Sequence, residues 1–441
     1  MTFLVFMKFC QNDLVKGRVF MSYRKFVNDM TQKVGIAKRL SLVAVVYMIF
    51  LMSPVRKHTL EAAATFAHST KSRFSKFLKN HKILAIHTLN ELSKKQAGQF
   101  AEIIERLKDL PWKVAIIIDA TTQGRSSRHP ENSQSLNHGK GFVVGHQWTN
   151  IVLFFNGLVI PLAPIPFHSK NCCKQEGIAY RTANEALVEY IIDLRLVEIV
   201  GDHDPRDIVV LADSGYDDKK IENTIIEKGW DFIIALKSSR GVKSVFQYQN
   251  TPKSKGWSEI ATFFRRQRRL KWQTIRIFIA KSPKRRRRMD FRIRQTVGHL
   301  KNVGRVRLVC SEFKKRPDGR RKFLACNNLK VTARQMIIGY RLRWRIEIFH
   351  KEVKMFLGFE DVATISFDAV TAHVHWVYCA YILLGSQPPG IPAEMRSLAE
   401  KQQKVREIAE SRDKSRVMQL LTQFEGLSRY KNELRQALAE I

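Results

Sequence analysis

Over the first hundred or so positions, apolar residues recur at spacings of three and four, the period of an amphipathic helix. The pattern is clearest in TLEAAATFAHSTKSRFSKFLKNH (59–81). There Ser69 or Thr70 is placed to stop one short helix and cap the next. The second piece carries Lys71, Arg73, Lys76 and Lys79, and two readings stay open: a helix-turn-helix, or a basic amphipathic helix packed on its neighbours. The apolar run LVAVVYMIFLM (42–52) has 11 residues, well short of the roughly 20 a membrane span requires, so it predicts a buried helix. The opening MTFLVFMKFC lacks the charged-then-apolar order of a secretory signal.

From Val114 the pattern changes to short apolar runs of strand length. VAIIID (114–119) and DIVVLAD (207–213) are two such runs, each ending in an acid, and DFIIAL (231–236) is a third. WTNIVLFFNGLVIPLAPIPF (148–167) predicts two strands turning at Asn156-Gly157, a strong hairpin dipeptide. Helical spacing returns in TANEALVEYIIDLRLVEI (182–199) and KKIENTIIEKG (219–229). Strand, hairpin, helix, strand, helix, strand predicts a mixed sheet covered by helices. Residues 241–304 break the rhythm, with the basic runs FFRRQRRLKW and KSPKRRRRMDFRIR around an alternating TIRIFIA strand (274–280). VRLVC (306–310) and KFLACN (322–327) then predict a hairpin across Pro317-Asp318-Gly319. A tail from about 363 to 441 has the pattern of polar helices, with PPGIP (388–392) as a linker.

Composition narrows the partner. The chain has 441 residues, 44% of them hydrophobic, which suits a globular protein of two or three domains. It carries 76 Lys+Arg against 40 Asp+Glu, a net charge of +36. Such an excess raises self-repulsion and suits a polyanionic partner. The basic residues are spread through folded segments and not confined to one tail, which favours nucleic acid over a membrane surface. The six cysteines (Cys10, Cys172, Cys173, Cys310, Cys326 and Cys379) form no CxxC pair and no zinc spacing, so they are expected as reduced thiols in a cytoplasmic protein.

The carboxylates come next. Asp119 and Asp213 each follow an apolar strand, and functional groups gather where the strands of open α/β sheets end. Converging carboxylates repel unless protonated or bridged by a cation, and an all-oxygen donor set suits Mg²⁺ or Mn²⁺. Asp217 and Asp218 open the next helix and are expected as caps. A third acid sits in YRLRWRIEIFHKEVK (340–354). Read as one helix at about 100° per residue from Tyr340, Arg343 falls near 300°, Glu347 near 340° and Lys354 near 320°. Leu342, Ile346, Phe349, Val353, Phe356 and Leu357 gather on an adjoining face, and Glu352 points away from the polar stripe. Periodicity alone leaves two readings, a solvated face with Arg–Glu pairing or a site.

Tyr340, Arg343, Glu347 and Lys354 match the Tyr-x2-Arg-x3-Glu-x6-Lys signature of bacterial insertion-sequence DDE transposases, which this chain resembles over about residues 110–360. The order of acids, Asp119, Asp213, then Glu347, also resembles that family, whose members carry a mostly β insertion between the second Asp and the Glu. The resemblance implies an α/β, ribonuclease-H-like mixed sheet flanked by helices, interrupted by a β-rich insertion, with helical N- and C-terminal regions. The implied domains are 1–105, a helical DNA-binding region; 106–240, the first catalytic part; 241–304, the basic insertion; 305–362, the second catalytic part with the Glu helix; and 363–441, a helical C-terminal region.

By the same resemblance, Asp119, Asp213 and Glu347 are catalytic and hold two Mg²⁺ or Mn²⁺ ions, and Tyr340, Arg343 and Lys354 contact DNA. The implied activity is binding of terminal inverted repeats, cleavage of double-stranded DNA at element ends and transfer of the 3′ ends to target DNA. A homodimer in the synaptic complex and a cytoplasmic, DNA-associated bacterial location follow, with no membrane role. A ribonuclease-H-like nuclease and an inactive DNA-binding relative are the alternatives. His146 and His350 are expected to be structural, and Trp257 and Trp272 are core residues or base-stacking candidates of the insertion. Many relatives have a second acid directly after the first, where this chain has Ala120.

Overall fold

The computed structural model describes residues 41–407 apart from 68, 100–108, 126–129, 138–140, 253, 268, 283–284, 315–320, 387–394 and 396. The Pro317-Asp318-Gly319 turn, the PPGIP linker, Cys10 and most of the polar tail lie outside the described residues. The chain forms two compact units, Ser93–Lys351, and Met1–Leu92 together with Glu352–Ile441.

The Ser93–Lys351 unit is built on one sheet, whose strands among the described residues are β1 (Val114–Gly124), β2 (Gln134–Asn137), β3 (Phe142–Phe155), β4 (Leu158–Pro161), β5 (Ile165–Pro166), β6 (Ile208–Ala212), β7 (Asp231–Leu236), β8 (Gly241–Ser244), β9 (Ser258–Glu259), β10 (Gln273–Ser282), β11 (Arg285–Leu300), β12 (Gly304–Phe313) and β13 (Lys322–Cys326). At its centre β1 pairs antiparallel with β3 on one side and parallel with β6 on the other, and β7 follows β6 in parallel. The sheet then continues antiparallel through β13, β12, β11, β8 and β9, with β10 on β11. This large mixed sheet flanked by helices is consistent with the ribonuclease-H-like class. Strands of 241–304 therefore hydrogen-bond directly into the same sheet.

The continuous apolar runs are explained by burial on both faces. Val114, Ile116 and Ile118 of β1 share a core with Leu187 and Ile191 of the helix Ala183–Asp193 and Ile221 and Ile225 of the helix Lys219–Glu227. On the other face the helix Ala333–Arg341 comes close through Gly339, where a Cβ would stand 3.0 Å from both Ile233 and Trp112. The Asn156-Gly157 hairpin forms as expected, with φ of 49° and 79°, the paired positive values of a type I′ turn. The helix expected over 182–199 stops at Asp193, and a short turn of helix resumes at Val197–Val200.

In the other unit, Leu42–Met52 is a buried helix capped by Ser41. Thr70 caps the helix Lys71–Asn80, which buries Phe74, Phe77 and Leu78 and leaves Lys71, Arg73, Lys76 and Lys79 exposed. The helix Phe367–Gly385 departs from the expected polar tail. It is buried along nearly its whole length, and its His373 ring meets the Tyr47 hydroxyl at 2.8 Å. Its polar letters satisfied the polar pattern, but they are histidines, threonine and tyrosine that bury readily once hydrogen-bonded. Among the described residues, no helix is long and apolar enough to cross a membrane.

Gly145 marks the tightest approach in the sheet, since a Cβ there would lie 2.1 Å from the Gln123 carbonyl oxygen across the β1–β3 ladder. Gly145→Ala is expected to cost about 1–3 kcal/mol in urea unfolding followed by tryptophan fluorescence. Gly98→Ala, whose Cβ meets only an ordinary 3.5 Å contact, should stay within about 0.5 kcal/mol.

Candidate active site

The parallel ladder between β1 and β6 ends at Ile118 and Ala212, so Asp119 and Asp213 leave it at the same level on adjacent strands. β1 itself does not end there, contrary to the strand end expected at Asp119. It continues against β3 to Gly124, and Asp119 lies opposite Asn150. Asp213 enters a turn of 3-10 helix, Ser214–Tyr216, and one of its oxygens accepts the Gly215 N–H at 2.8 Å.

The stretch expected as one helix through 340–354 is two, Ala333–Arg341 and Trp344–Phe356, joined by a tighter turn. The N–H groups of Leu342, Arg343, Arg345 and Ile346 each bond three residues back, at 2.8–3.1 Å. At three residues per turn, positions i and i+3 eclipse, which stacks Arg343 over Tyr340 with 5.8 Å from guanidinium carbon to ring centroid. The expected angular offset between the two is thus removed. The apolar face stands nearly as read: Ile346, Phe349, Val353 and Leu357 are buried, and Leu342 and Phe356 are half-buried.

Arg343 ties the cluster together. One guanidinium nitrogen lies 3.2 Å from a carboxylate oxygen of Asp119, and the other donates to Glu347. Burial pushes the Asp119 carboxyl up, Arg343 pulls it down, and Asp213 and Glu347 push it up again, to a net value of about 6. Burial opposes the charge on Arg343 itself, but Tyr340, Asp119 and Glu347 more than offset it, and its pKa is raised. The Tyr340 hydroxyl is pushed up to about 12, chiefly by burial. Tyr216, buried beside Asp119 and Asp213 and hydrogen-bonded to Thr149, is raised in the same way.

Lys322, at the start of β13, is a member of this cluster that sequence reasoning missed. Its ammonium lies 5.1 Å from the Tyr340 ring centroid. Burial lowers its pKa, Arg343 lowers it further, and Glu347 and Asp213 work against both. In the sequence it is one more cation in the run Arg320, Arg321, Lys322, and only the strand pairing shows which of them faces the site.

Other expected residues fall into place around this group. Asp218 caps the helix Lys219–Glu227, accepting from the Lys220 N–H at 2.8 Å. Asp217 is not a cap. It is buried, accepts the Lys237 N–H at 2.8 Å and pairs with Arg240, which also holds the fully buried Glu222. An internal Arg between two acids is worth more to Asp217 than a helix end in solvent. Burial raises the Glu222 carboxyl to about 8 despite Arg240, with Asp217 adding to the rise. His350 meets the Asn150 amide at 2.8 Å, joining the Glu347 helix to the strand beside Asp119. His146 is buried against the Glu131 carbonyl and lowered to about 4 by that burial. Lys354 pairs with Glu360 at 2.8 Å. Trp257 packs under the Lys243 ammonium at 4.8 Å, and Trp272 lies among Arg292, Arg294 and Arg321 at 4.7–5.5 Å.

The donor chemistry of Asp119, Asp213 and Glu347 is all oxygen, which fits a hard divalent cation. Their mutual repulsion, felt at Asp119, is the condition such an ion relieves. The three carboxylates do not converge within 4.8 Å; among the described residues, the side chains that do are His168, Cys172 and Glu176.

The large mixed sheet flanked by helices, in which Asp119 and Asp213 leave adjacent parallel strands, is consistent with the ribonuclease-H-like class of α/β proteins. The family model described as "Transposase DDE domain" matches residues 111–383, more than half of the chain, and the chain belongs to that family. Comparison with curated proteins gives no match. Proteins of this family act on DNA, generally as DNA-cutting and strand-transfer enzymes, and generally use divalent metal ions.

Because the Asp119 pKa is raised on folding, its stabilising contribution is complete below the ordinary aspartate range and is lost as pH rises through about 6. In metal-free protein, carbon NMR of the Asp119 carboxyl should show a midpoint near 6. Arg343→Met, which removes the guanidinium that lowers that value, should move the midpoint upward.

Proposed function

We propose that this protein is an insertion-sequence transposase with a Tyr-Arg-Glu-Lys signature. In this reading it binds the terminal inverted repeats of its element, cuts the DNA there and joins the 3′ ends to a target. The observation that carries the proposal is Arg343 joining Asp119 to Glu347, with Asp213 acting on Asp119 from the neighbouring strand's end, within a chain of the transposase DDE domain family. Asp119, Asp213 and Glu347 are the residues to hold two Mg²⁺ or Mn²⁺ ions. When bound, such ions supply an activated water or 3′-hydroxyl and charge stabilisation at the leaving oxygen of an in-line displacement at phosphorus.

The chain's own cations then have a defined task. Arg343 offers a planar fork that matches phosphate as well as carboxylate, so an incoming phosphate competes with Asp119 and Glu347 for it. Tyr340 backs the guanidinium, and Lys322 adds a second cation against the same ring. Lys354, one turn beyond the half-buried His350, is a further DNA contact in this reading. The basic strands β10 and β11 and the exposed cations of Lys71–Asn80 are suited to grip the backbone away from the cut. The segment 241–304 corresponds to the β-rich insertion and 1–105 to the end-binding region. A homodimer is expected, because two ends must be held at once.

Asp119→Ala, Asp213→Ala and Glu347→Ala are each expected to abolish Mg²⁺-dependent cleavage of duplexes carrying the inverted repeats, with binding retained in a mobility-shift assay. Cleavage surviving in any of them removes that residue from the site. Arg343→Ala should weaken cleavage and lower the salt slope of binding to cut ends by about one. An unchanged slope removes the phosphate contact. Lys322→Ala is expected to lower the cleavage rate by about a hundredfold at unchanged binding, the scale of losing one preorganised charge donor. Wild-type rates would exclude it from the site.

A further inference from the structure

Away from the carboxylate cluster, a second group of donor side chains converges on the segment after β5. His168, Cys172 and Glu176 are spaced four and four, which sets them along one side of the helix Lys170–Glu176 and the residue before its cap. The local structure holds them there. Ser169 caps the helix by accepting the Cys172 N–H at 3.2 Å, and Gly177 stops it with a φ of 66°. Asn132 grips the chain on both sides of His168, donating to the Phe167 carbonyl and accepting the Ser169 N–H, each at 2.9 Å.

The donor atoms form a small triangle. Cys172 Sγ lies 3.3 Å from Glu176 Oε1 and 4.0 Å from His168 Nδ1, and Glu176 Oε2 lies 4.0 Å from the same nitrogen. Tetrahedral zinc with bonds of about 2.0–2.3 Å sets its ligands roughly 3.3–3.6 Å apart, so small side-chain shifts close the triangle on an ion. The sulfur is on the buried side, with Cys172 only 6% exposed, whereas the His168 and Glu176 side chains are 31% and 51% exposed and leave an approach from solvent.

We propose that His168, Cys172 and Glu176 form a zinc site separate from the carboxylate cluster, with three protein donors and a fourth position open to water. Thiolate and imidazole are soft and borderline ligands that select Zn²⁺ over Mg²⁺, the opposite preference to three carboxylates. On binding, the Cys172 thiol gives up its proton to solvent as the sulfur–zinc bond forms, and Glu176 exchanges the S–H it now accepts for the ion. Use of the same residues as a thiol nucleophile with a base fits less well. Burial, aided by Glu176, pushes the thiol up to about 12, and its hydrogen points at the carboxylate and not at the imidazole. Bound zinc clasps the chain before the helix to both of its turns.

Cobalt(II) is the probe, because it takes zinc sites and reports thiolate coordination by a charge-transfer band. Metal-free full-length protein titrated with Co²⁺ should develop that band, and Zn²⁺ should displace it. His168→Ala, Cys172→Ser and Glu176→Gln should each lose it, while Asp119→Ala keeps it. Circular dichroism checks folding, and the partly exposed His168 and Glu176 keep the test valid should Cys172→Ser misfold. No thiolate band in the wild type, a band that survives Cys172→Ser, or one that survives both of the other variants overturns the site.

Discussion

Asp119 sits half-buried near two further acids, and Arg343 supplies the positive charge that offsets burial and their repulsion there. Its two arms reach Asp119 and Glu347, which come from elements far apart in the chain. The tight turn at Leu342–Arg343 serves that reach, because it stacks the guanidinium on Tyr340 and aims its nitrogens at the acids. A second arginine works in a similar way. Arg240 holds Asp217 and Glu222, and Asp217 takes the backbone N–H at the end of β7. The loop that carries Asp213 is thereby held at its far end by a buried ionic contact.

The same economy of charge connects fold to function. A net charge of +36 is a cost to the compact state, and 12 of the 76 basic residues lie in β10, β11 and the helix Lys71–Asn80. At the centre the sign reverses, and acids are held by cations that phosphate can attract away. A polyanion bound along the basic strands would thus meet a site whose arginine and lysine are already poised, which is the arrangement proposed for DNA ends in a protein of the transposase DDE domain family.

Much of this was legible in the letters. The apolar runs located β1, β6 and β7, and Asn156-Gly157 located the hairpin, because both signals are local. The acids after two of those runs were worth comparing because parallel neighbours deliver them to one level, as the ladder ending at Ile118 and Ala212 does. What stayed hidden depends on pairing or on three-dimensional charge. The break between Arg341 and Trp344 contains no proline or glycine, and Gly339 before it lies within the helix Ala333–Arg341. Lys322 is indistinguishable from its neighbours in a chain with 76 basic residues until β13 is set beside β12 and β7. Asp217 looked like a cap since it precedes a helix, and only the position of Arg240 makes it internal. His168, Cys172 and Glu176 carry no paired-cysteine signature, and only the turn before the helix Lys170–Glu176 brings the three donors together.

The central claim is that Asp119, Asp213 and Glu347 hold divalent ions at the DNA end while Arg343 turns to phosphate. Crystals of the protein with an inverted-repeat duplex and Mn²⁺ test it directly by anomalous scattering. Manganese peaks among the three carboxylates, with the Arg343 guanidinium on a phosphate, are the predicted result. No peak there, with Arg343 still joining Asp119 to Glu347 beside bound DNA, would contradict the account.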